Sequence, residues 1–408
     1  ETLPTYQSEY CVRHSVYFGG CRQPGAVLQR EKENSPAVSG IDASSLMNIL
    51  FIRYKKSKNI LEGGEQASQK NYNVMSQLVG DDHITTYYVH DENRKKTVWD
   101  YAKGVFYFPF NCYFGLTPKR VREIAAIAQS YDIVFIDRSV FGIVAMKLKE
   151  TNYKGRIISF FHNVEVPYFE AKLGNMPGKR VFLRCIDQND KFACQYSDKT
   201  IALNPRDDGE LFDRYGRHAD VLIPVAFKDK YRRERYSEEM TRPQPICLFL
   251  GAYFLPNNEG VVWFVKNVLP HVNIRMKVVG KGMAKLKAEE LALKDIEVVS
   301  DAPDLLPFFE EADIMILPIF KGSGMKVKTC ESLMYGKNII ATDEAFMGYE
   351  VEYDKVGGKC NTAEEFINCI RDFEENPRPR FNIYSRQMFL EKYSEEAVAE
   401  RFREALFD

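Results

Sequence analysis

Short apolar runs alternate with helical patterns through two long stretches of the chain. In the first stretch these runs predict strands at residues 48–52, 83–90, 133–138, 157–161, 200–203 and 221–224. In the second stretch they predict strands at residues 246–250, 276–279, 296–299, 314–317 and 338–341. Apolar runs of this length are typical of parallel strands that are buried on both faces. The pattern therefore predicts two α/β sheets of mainly parallel strands.

Apolar residues at helical spacing fill many of the intervals between these strands. They predict helices at residues 67–78, 121–128, 260–268, 283–293, 305–311, 325–335 and 363–373. A last helix, predicted at residues 395–406, is charged on one face and apolar on the other. In open α/β sheets ligands bind in a crevice at the carboxyl ends of the strands, so polar residues that follow the strands are the first candidates for a site.

The length of the chain, 408 residues, suits two domains of ordinary size. We predict one domain at residues 47–228, a charged, proline-containing linker at 229–244, a second domain at 245–383 and terminal helices at 384–408, which we expect to cross back to the first domain. Residues 1–46 are polar and rich in Ser, Gly and Pro, so we predict an extension outside the core. Met47 opens the first strand and is the expected start of the folded protein.

Composition excludes several classes of protein. A hydrophobic content of 45% with 28% charged residues is typical of a soluble globular chain. No window holds eighteen consecutive apolar residues, and the first residues lack the pattern of a signal peptide. Nine cysteines without a Cys-x-x-Cys pair favour a reducing compartment over a disulfide framework or a zinc site. We therefore expect a cytoplasmic protein.

The net charge of −1 conceals an asymmetry between the two halves. Residues 47–242 carry 32 Lys and Arg against 25 Asp and Glu, whereas residues 243–408 carry 20 against 27. This difference suggests a different partner for each half, although drift between two domains would also produce it.

Residues 320–331 read Phe-Lys-Gly-Ser-Gly-Met-Lys-Val-Lys-Thr-Cys-Glu and link a predicted strand to a predicted helix. Glycines let the backbone approach a ligand closely, and free N–H groups with the helix dipole favour an anion. Lys326 and Lys328 add positive charge, and Glu331 is placed to accept hydrogen bonds from ribose hydroxyls. The sequence thus predicts a phosphate-binding turn, with a solvated lysine-rich loop as the alternative.

Other motifs are weaker. Gly280-Lys281-Gly282, with Asp301 further on, partly matches a dinucleotide fingerprint, but the third glycine is missing and NAD binding is not expected. Residues 174–179 are one residue short of a P-loop, and no Asp-x-Asp pair suggests a metal site. His162 directly follows a buried strand, at the edge where α/β crevices lie, with a purely structural histidine as the alternative.

Together these residues resemble a known family. Residues 250–260, 267–270, 278–282, 312–314, 320–331 and 336–342 resemble, in the right order, the landmarks of family 4 retaining glycosyltransferases. The likeness covers nearly all of residues 243–362. In the first half it is thinner, at the first strand, Gly63-Gly64 and residues 161–165, and it does not reach residues 1–46.

The resemblance implies a GT-B fold, in which two Rossmann-like doubly wound domains face each other across a cleft. The first domain would bind the acceptor and the second a nucleotide-sugar. The implied catalytic residues are His162, Lys326 and Lys328. The implied donor-binding residues are Gly251, Asn258, Gly280, Gly322, Ser323, Gly324, Met325 and Glu331. The acceptor-side residues are Gly63, Gly64, Asp137, Arg138 and Asn163. Neither a cofactor nor a metal ion is expected beside the nucleotide-sugar.

The chain departs from the family pattern at three positions. Many relatives have two glutamates separated by seven residues, and here Ser323 replaces the first. Asn258 stands where many relatives have a lysine, and no arginine ends the strand at 246–250. The resemblance is to a Gly-Ser-Gly-x-Lys-x-Lys branch, in which Lys326 or Lys328 would supply the missing charge.

We therefore expect transfer of a sugar, with retention, from a nucleoside-diphosphate sugar to a glycan or lipid-linked glycan in polysaccharide biosynthesis. The basic first half, the aromatic run at 105–114 and the basic run at 230–235 suggest a peripheral anionic-membrane partner, and no nucleic acid. A core strand and hairpin is the alternative for the aromatic run. The alternatives for function are a sugar-nucleotide epimerase and a non-catalytic GT-B partner protein.

Overall fold

The structure, a computed structural model, describes residues 28–29, 47–55, 63–90, 106–113, 115–173, 178–231, 239–289, 296–322 and 324–408. Several sequence predictions therefore lie wholly or partly outside the described residues: Ser323, most of residues 1–46, residues 174–177 of the P-loop-like stretch, residues 232–235 of the basic run, and both ends of the aromatic run.

The first sheet has seven strands in the order β1-β3-β2-β4-β5-β6-β7. They are β1 (Leu28–Gln29), β2 (Ile49–Lys55), β3 (Ile84–His90), β4 (Ile133–Ile136), β5 (Arg156–Phe161), β6 (Lys199–Ala202) and β7 (Val221–Leu222). Strands β2 to β7 are parallel, whereas β1 pairs antiparallel with β3. Two residues of the segment expected outside the core thus pair with the edge of this sheet.

The second sheet has six parallel strands in the order β10-β9-β8-β11-β12-β13. They are β8 (Ile246–Leu250), β9 (Arg275–Gly280), β10 (Ile296–Ser300), β11 (Ile314–Leu317), β12 (Asn338–Ala341) and β13 (Gly357–Lys359). Every residue of β8, β11 and β12 is buried, which explains why all of them except Asn338 at the start of β12 are apolar.

The described residues include fifteen α-helices. They are α1 (Gly63–Val79), α2 (Pro118–Ala128), α3 (Gly142–Glu150), α4 (Glu165–Leu173), α5 (Lys179–Tyr196), α6 (Pro205–Tyr215), α7 (Leu255–Asn267), α8 (Ala284–Glu289), α9 (Leu306–Glu311), α10 (Val327–Met334), α11 (Asp343–Phe346), α12 (Tyr353–Val356), α13 (Ala363–Glu375), α14 (Ile383–Met388) and α15 (Glu395–Phe407). Several begin with strong capping signals. For example, Thr362 and Glu365 form a capping box at α13.

The last helix, α15, packs against the first sheet although the chain reaches it from the second. The ring of Phe402 stacks on Phe160 with centroids 6.2 Å apart, and the guanidinium of Arg156 donates to the Leu406 carbonyl at 2.8 Å. Where the chain crosses between the sheets, Phe227 bridges to Ser394. The two crossings of the chain are therefore bound to each other.

The aromatic run differs from the alternative of a core strand and hairpin. Within residues 106–113, Phe108–Phe110 form a 3-10 turn with Pro109 near its start and Asn111 in the left-handed region at φ 52°. Proline lacks the N–H that a strand ladder needs, so a strand is not favoured here. The side chains of Phe106 and Phe110 are 76% and 60% exposed. The strand and hairpin are therefore wrong for the described residues, although Cys112 and Tyr113 at the end of the run are buried in the core.

Among the described residues, no helix is long and apolar enough to cross a membrane. The seven described cysteines are all free thiols. In the same part of the chain, no group of three or more His, Cys, Asp or Glu side chains is arranged to hold a metal ion.

Candidate functional site

The predicted phosphate-binding turn contains Gly322 and Gly324, and we call it the glycine turn. It lies at the carboxyl end of β11, directly before α10. Gly324 has φ 66°, a conformation that glycine adopts at little cost. Helix α10 begins at Val327, two residues later than the predicted helix, and Glu331 therefore lies one turn into it. The structure thus brings Gly322, Gly324 and the two lysines of the motif to one helix start.

Lys326 is paired inside the protein. Its amine donates to the Gly324 carbonyl at 2.8 Å and to Oε1 of Glu344, in α11, at 2.6 Å. Burial lowers the pKa of this lysine, and Glu344 opposes the effect. Because the amine binds a carbonyl of the turn, Lys326 stabilises the shape of the loop.

Lys328 is more deeply buried than Lys326 and has no carboxylate partner like Glu344. Its amine donates to Oδ1 of Asn257 at 2.7 Å and lies 4.5 Å from the ring centroid of Phe249. No ion pair joins it to a carboxylate among the described residues. Burial, with a smaller effect of Lys326, lowers the pKa of Lys328 to about 7. A Cβ placed at Gly251 would lie 3.0 Å from this amine, so the glycine leaves room for the lysine.

The charges of lysines from three parts of the chain act on the pKa of Glu331. Burial raises the pKa of its carboxyl, while Lys230, Lys70 and Lys328 oppose the rise. These lysines belong to the connection between the sheets, to α1 and to α10 itself. The carboxylate therefore lies near the junction of the two halves.

The neighbouring turns of the second sheet form the frame around these groups. A Cβ at Gly280 would collide with the Gly251 carbonyl, so two glycine turns pack directly together. Asn258 does not reach the lysines, because its Oδ1 accepts from the Phe254 N–H at 3.3 Å at the start of α7. Asn257 contacts Lys328 instead.

The side chain of Asp301 forms a hydrogen bond with the backbone of the Gly280–Gly282 turn. Oδ2 of Asp301 accepts from the Gly282 N–H at 3.4 Å and from the Ser300 hydroxyl at 2.5 Å. The Asp301 carboxylate therefore stabilises the turn by accepting hydrogen bonds from neighbouring residues of the chain.

A second polar cluster lies at the carboxyl ends of β4 and β5 in the first sheet. Oδ1 of Asp137 is 3.3 Å from Nε2 of His162 and accepts from Nδ2 of Asn71 at 3.1 Å. Burial alone would raise the pKa of Asp137, but the charge and hydrogen bond of His162 and a hydrogen bond from Ser68 hold it below its usual value. A buried carboxylate thus lies beside His162, and only 4% of the surface of His162 is exposed.

The remaining predicted acceptor-side residues surround this cluster. Glu65, two residues after the start of α1 at Gly63-Gly64, pairs with Arg138 at 3.4 Å and with Arg53 at 3.9 Å. Asn163 follows His162 and is half-buried. The structure therefore brings the predicted residues of the first half to one edge of the sheet.

The two edges approach each other at Gly348, in the loop after α11. A Cβ at this glycine would lie 2.7 Å from Cγ of Met325 and 3.1 Å from Cβ of Asn204, which follows β6. The charge of Arg206, which lies in α6 of the first half of the chain, also lowers the pKa of Lys326. The loop at residues 322–325 and the edge of the first sheet thus lie close together at Gly348.

Sequence reasoning missed Asn257 and Glu344, which contact the lysines of the site, and Arg206 and Lys70, whose charges act on it. Asn257 lies one position from the predicted Asn258, so helix phase at the start of α7 would have distinguished them. The other three belong to elements distant in sequence, and no local motif marks them.

Comparisons with solved structures show the fold. Anabaena HepE in complex with UDP-glucose has 11% identity and a TM-score of 0.55, covering 88% of this chain and 99% of that chain. The lipopolysaccharide outer core galactosyltransferase WaaB, in its apo form, has 14% identity and a TM-score of 0.59, with the same coverage. A glycosyltransferase from Rickettsia africae has 14% identity and a TM-score of 0.53, covering 89% and 98%.

Sequence comparisons address the family. No curated protein matches the chain by sequence. The profile of the family described as glycosyl transferases group 1 matches residues 244–376, from just before β8 through α13. This segment contains the glycine turn, both lysines and Glu331. The predicted resemblance is confirmed for residues 244–376, which match the glycosyl transferases group 1 family, and the chain has the predicted GT-B fold.

Proposed function

We propose that the protein transfers a hexosyl group, with retention, from a UDP-sugar to a glycan or lipid-linked glycan. The observation that carries this proposal is the buried amine of Lys328 at the glycine turn, beside Phe249 and Asn257. A nucleoside-diphosphate leaving group gains negative charge as the glycosidic bond breaks. A preorganised cation in a water-poor site stabilises that charge. The UDP and UDP-glucose complexes of HepE support a uridine nucleotide.

The donor would lie along the second sheet. In this proposal the diphosphate accepts hydrogen bonds from N–H groups of the 322–325 turn and from Lys328, and Lys326 braces the turn through the Gly324 carbonyl. Glu331 accepts from the ribose hydroxyls. Gly251 and Gly280 have no side chains, and this leaves space for the donor beside Lys328. Asn258 stabilises the start of α7 through its hydrogen bond with the Phe254 N–H.

The acceptor would lie against the first sheet. His162 would polarise the donor sugar, and Asp137 would hold its ring in the required orientation. Arg138, Asn163 and the Gly63-Gly64 start of α1 would border the acceptor. In a front-face retaining transfer the acceptor proton passes to the departing phosphate oxygen. We therefore assign no general base to the protein, and we propose no requirement for a metal ion.

An exposed aromatic and basic surface supports attachment to an anionic membrane. Phe106 and Phe110 are exposed, and the neighbouring Phe108 packs on Phe182 of α5 with ring centroids 5.6 Å apart. The first turns of α5 also expose Arg180 and Arg184. Basic residues near an anionic leaflet each contribute about 1 kcal/mol, screened by salt. We propose that this surface places the enzyme on the cytoplasmic face of a membrane beside a lipid-linked acceptor.

Vesicle sedimentation tests the membrane proposal. We expect binding to vesicles that contain phosphatidylglycerol, weakening as salt rises, and weaker binding after Arg180→Glu and Arg184→Glu. Arg275→Glu, at the exposed start of β9 and away from this surface, is the control. Binding that is insensitive to salt and to both substitutions would contradict this part of the proposal.

A thermal-shift screen against UDP-, GDP- and ADP-sugars tests the function first, because ligand stabilisation grows with concentration over affinity. The preferred donor is then incubated with and without glycan acceptors. Acceptor-dependent release of nucleotide supports transfer. Conversion of the donor alone would indicate an epimerase. Donor binding without turnover under any condition would indicate a non-catalytic partner protein.

A further inference from the structure

A buried tyrosine in the loop after α11 is hydrogen-bonded to the start of α10. The hydroxyl of Tyr349 donates to the carbonyl of Lys326 at 2.7 Å, and only 5% of this tyrosine is exposed. Burial raises the pKa of Tyr349 well above its usual value, so the hydroxyl keeps its proton and remains a donor at neutral pH. Tyr349 therefore fixes one backbone group beside the glycine turn.

The carbonyl of Lys326 belongs to the peptide group that begins the helix. Lys326 precedes α10 in an extended conformation, with φ −84° and ψ 112°, and its side chain makes no capping hydrogen bond. A helix start without a side-chain cap leaves N–H groups available for an anion. The Lys326 carbonyl and the Val327 N–H lie in one planar trans peptide and point in opposite directions. A hydrogen bond that holds the carbonyl therefore directs the Val327 N–H toward the space in front of the helix.

The other side of Tyr349 faces the place where the chain crosses between the sheets. Its ring packs edge-on against Tyr393, with centroids 5.0 Å apart. Tyr393 ends the π-helical turn Phe389–Tyr393, and its hydroxyl accepts from the Glu350 N–H at 2.7 Å. Its carbonyl accepts from the Phe227 N–H, on the other crossing of the chain, at 3.0 Å. The two tyrosines thus form a continuous buried connection from the crossings to the start of α10.

A separate contact anchors the same loop to α10. The hydroxyl of Thr329 donates to the Ala345 carbonyl at 2.6 Å, and Thr329 is fully buried. This bond does not involve either tyrosine. Removal of the Tyr349 hydroxyl should therefore release the Lys326 peptide while α11 stays attached to α10.

We propose that Tyr349 is a positioning residue of the donor site: it directs the Val327 N–H toward the diphosphate, and through Tyr393 it makes this direction depend on the crossings of the chain. This inference rests on the proposed binding of the diphosphate at the glycine turn. A donor that is already oriented stabilises a ligand charge without the cost of reorganisation. A rotation of one sheet relative to the other moves the crossings, so donor affinity depends on the relative position of the sheets.

Tyr349→Phe tests the inference, because phenylalanine keeps the ring against Tyr393 and removes only the hydroxyl. The probes are UDP, titrated calorimetrically at pH 7, and uridine, which lacks the diphosphate and is titrated by ligand-observed NMR. We expect about tenfold weaker binding of UDP, a typical coupling between linked sites, with the Kd for uridine unchanged. A merely structural effect of the substitution would weaken the binding of both probes alike.

Tyr153→Phe is the matched control. The hydroxyl of this buried tyrosine also donates to a backbone carbonyl, that of Tyr131 at 2.9 Å, but it lies before the start of β5 in the first sheet. This variant should bind both probes like the wild-type protein.

Tyr393→Phe breaks the connection from its other end, because it removes the acceptor of the Glu350 N–H. It should also weaken UDP binding selectively, and it carries the test if Tyr349→Phe does not fold. The double variant should bind UDP no more weakly than Tyr349→Phe alone, because both substitutions act through one path. Additive losses would overturn the dependence on the crossings.

The outcomes separate this inference from the proposed function. If the wild-type protein binds UDP more tightly than uridine and both phenylalanine variants do so equally well, the inference about Tyr349 is overturned and the diphosphate role of the glycine turn stands. If the wild-type protein binds UDP no more tightly than uridine, the proposed diphosphate site itself is wrong and the inference falls with it.

Discussion

Replacing Lys328 by methionine should make the protein more stable while it destroys donor binding. The amine lies against the Phe249 ring with one hydrogen bond to Asn257, and burial lowers its pKa to about 7. Methionine fits an apolar site of this length and carries no charge. A site built to hold a cation for the diphosphate should therefore gain stability when that cation is removed.

The magnitude follows from the pKa of Lys328. At 1.36 kcal/mol per pH unit, a fall from 10.5 to about 7 corresponds to roughly 5 kcal/mol for the fully protonated amine, and to about 4 kcal/mol at pH 7. The unfolded chain binds the proton more tightly, so this cost is nearly complete below pH 7 and disappears as pH rises toward 10.5. Loss of the hydrogen bond and ring contact offsets about 1–2 kcal/mol. The net gain in the free energy of unfolding at pH 7 is therefore about 2–3 kcal/mol.

Urea unfolding at pH 7 and pH 9.5 measures this effect. We expect Lys328→Met to have the higher free energy of unfolding at pH 7, with a gap that shrinks by about 3 kcal/mol at pH 9.5 because the wild-type protein becomes more stable. Lys321→Met, in the same loop but 72% exposed, is the control and should change stability by less than about 0.5 kcal/mol. A variant less stable than wild type, or a gap independent of pH, would refute the reasoning.

Three other substitutions test separate contacts. Glu344→Gln removes the carboxylate paired with Lys326 at 2.6 Å, so the pKa of that lysine should fall further and the basic limb of kcat/KM should move to lower pH; an unchanged pH profile would exclude this role. Gly348→Ala places a Cβ 2.7 Å from Met325 at φ 82°, which should cost about 1–3 kcal/mol in a melting experiment and raise the donor KM; wild-type values would show that the cleft does not close there. His162→Gln should lower kcat by about 10² with little change in the Kd for UDP, whereas equal losses in both would indicate a structural histidine.

Much of the fold follows from local sequence. Strands β8, β11 and β12 have the bounds that the apolar pattern predicts, because each is buried along its whole length. The pattern did not predict β13, since Gly357–Lys359 has no apolar residue and is a strand only through its pairing with β12. Helix α5 was also missed, because it buries Asn189 and Asp190 among its apolar residues.

The site likewise has a part that local sequence predicts and a part that depends on contacts between distant residues. The glycine turn and its lysines are adjacent in sequence, so composition and spacing predict a shared loop. Lys326 forms an ion pair with Glu344 of α11, whereas Lys328 donates a hydrogen bond to Asn257 of α7. These two contacts decide which of the lysines is neutralised within the protein. Sequence alone records none of these contacts, because they arise from the packing of distant elements.

A crystal structure of the complex with UDP tests the central claim most directly. We predict that the pyrophosphate oxygens lie within hydrogen-bond distance of Nζ of Lys328 and of the Gly324 and Met325 N–H groups, in the cleft between the sheets. A pyrophosphate on the Gly280–Gly282 turn, or bound outside that cleft, would contradict the account.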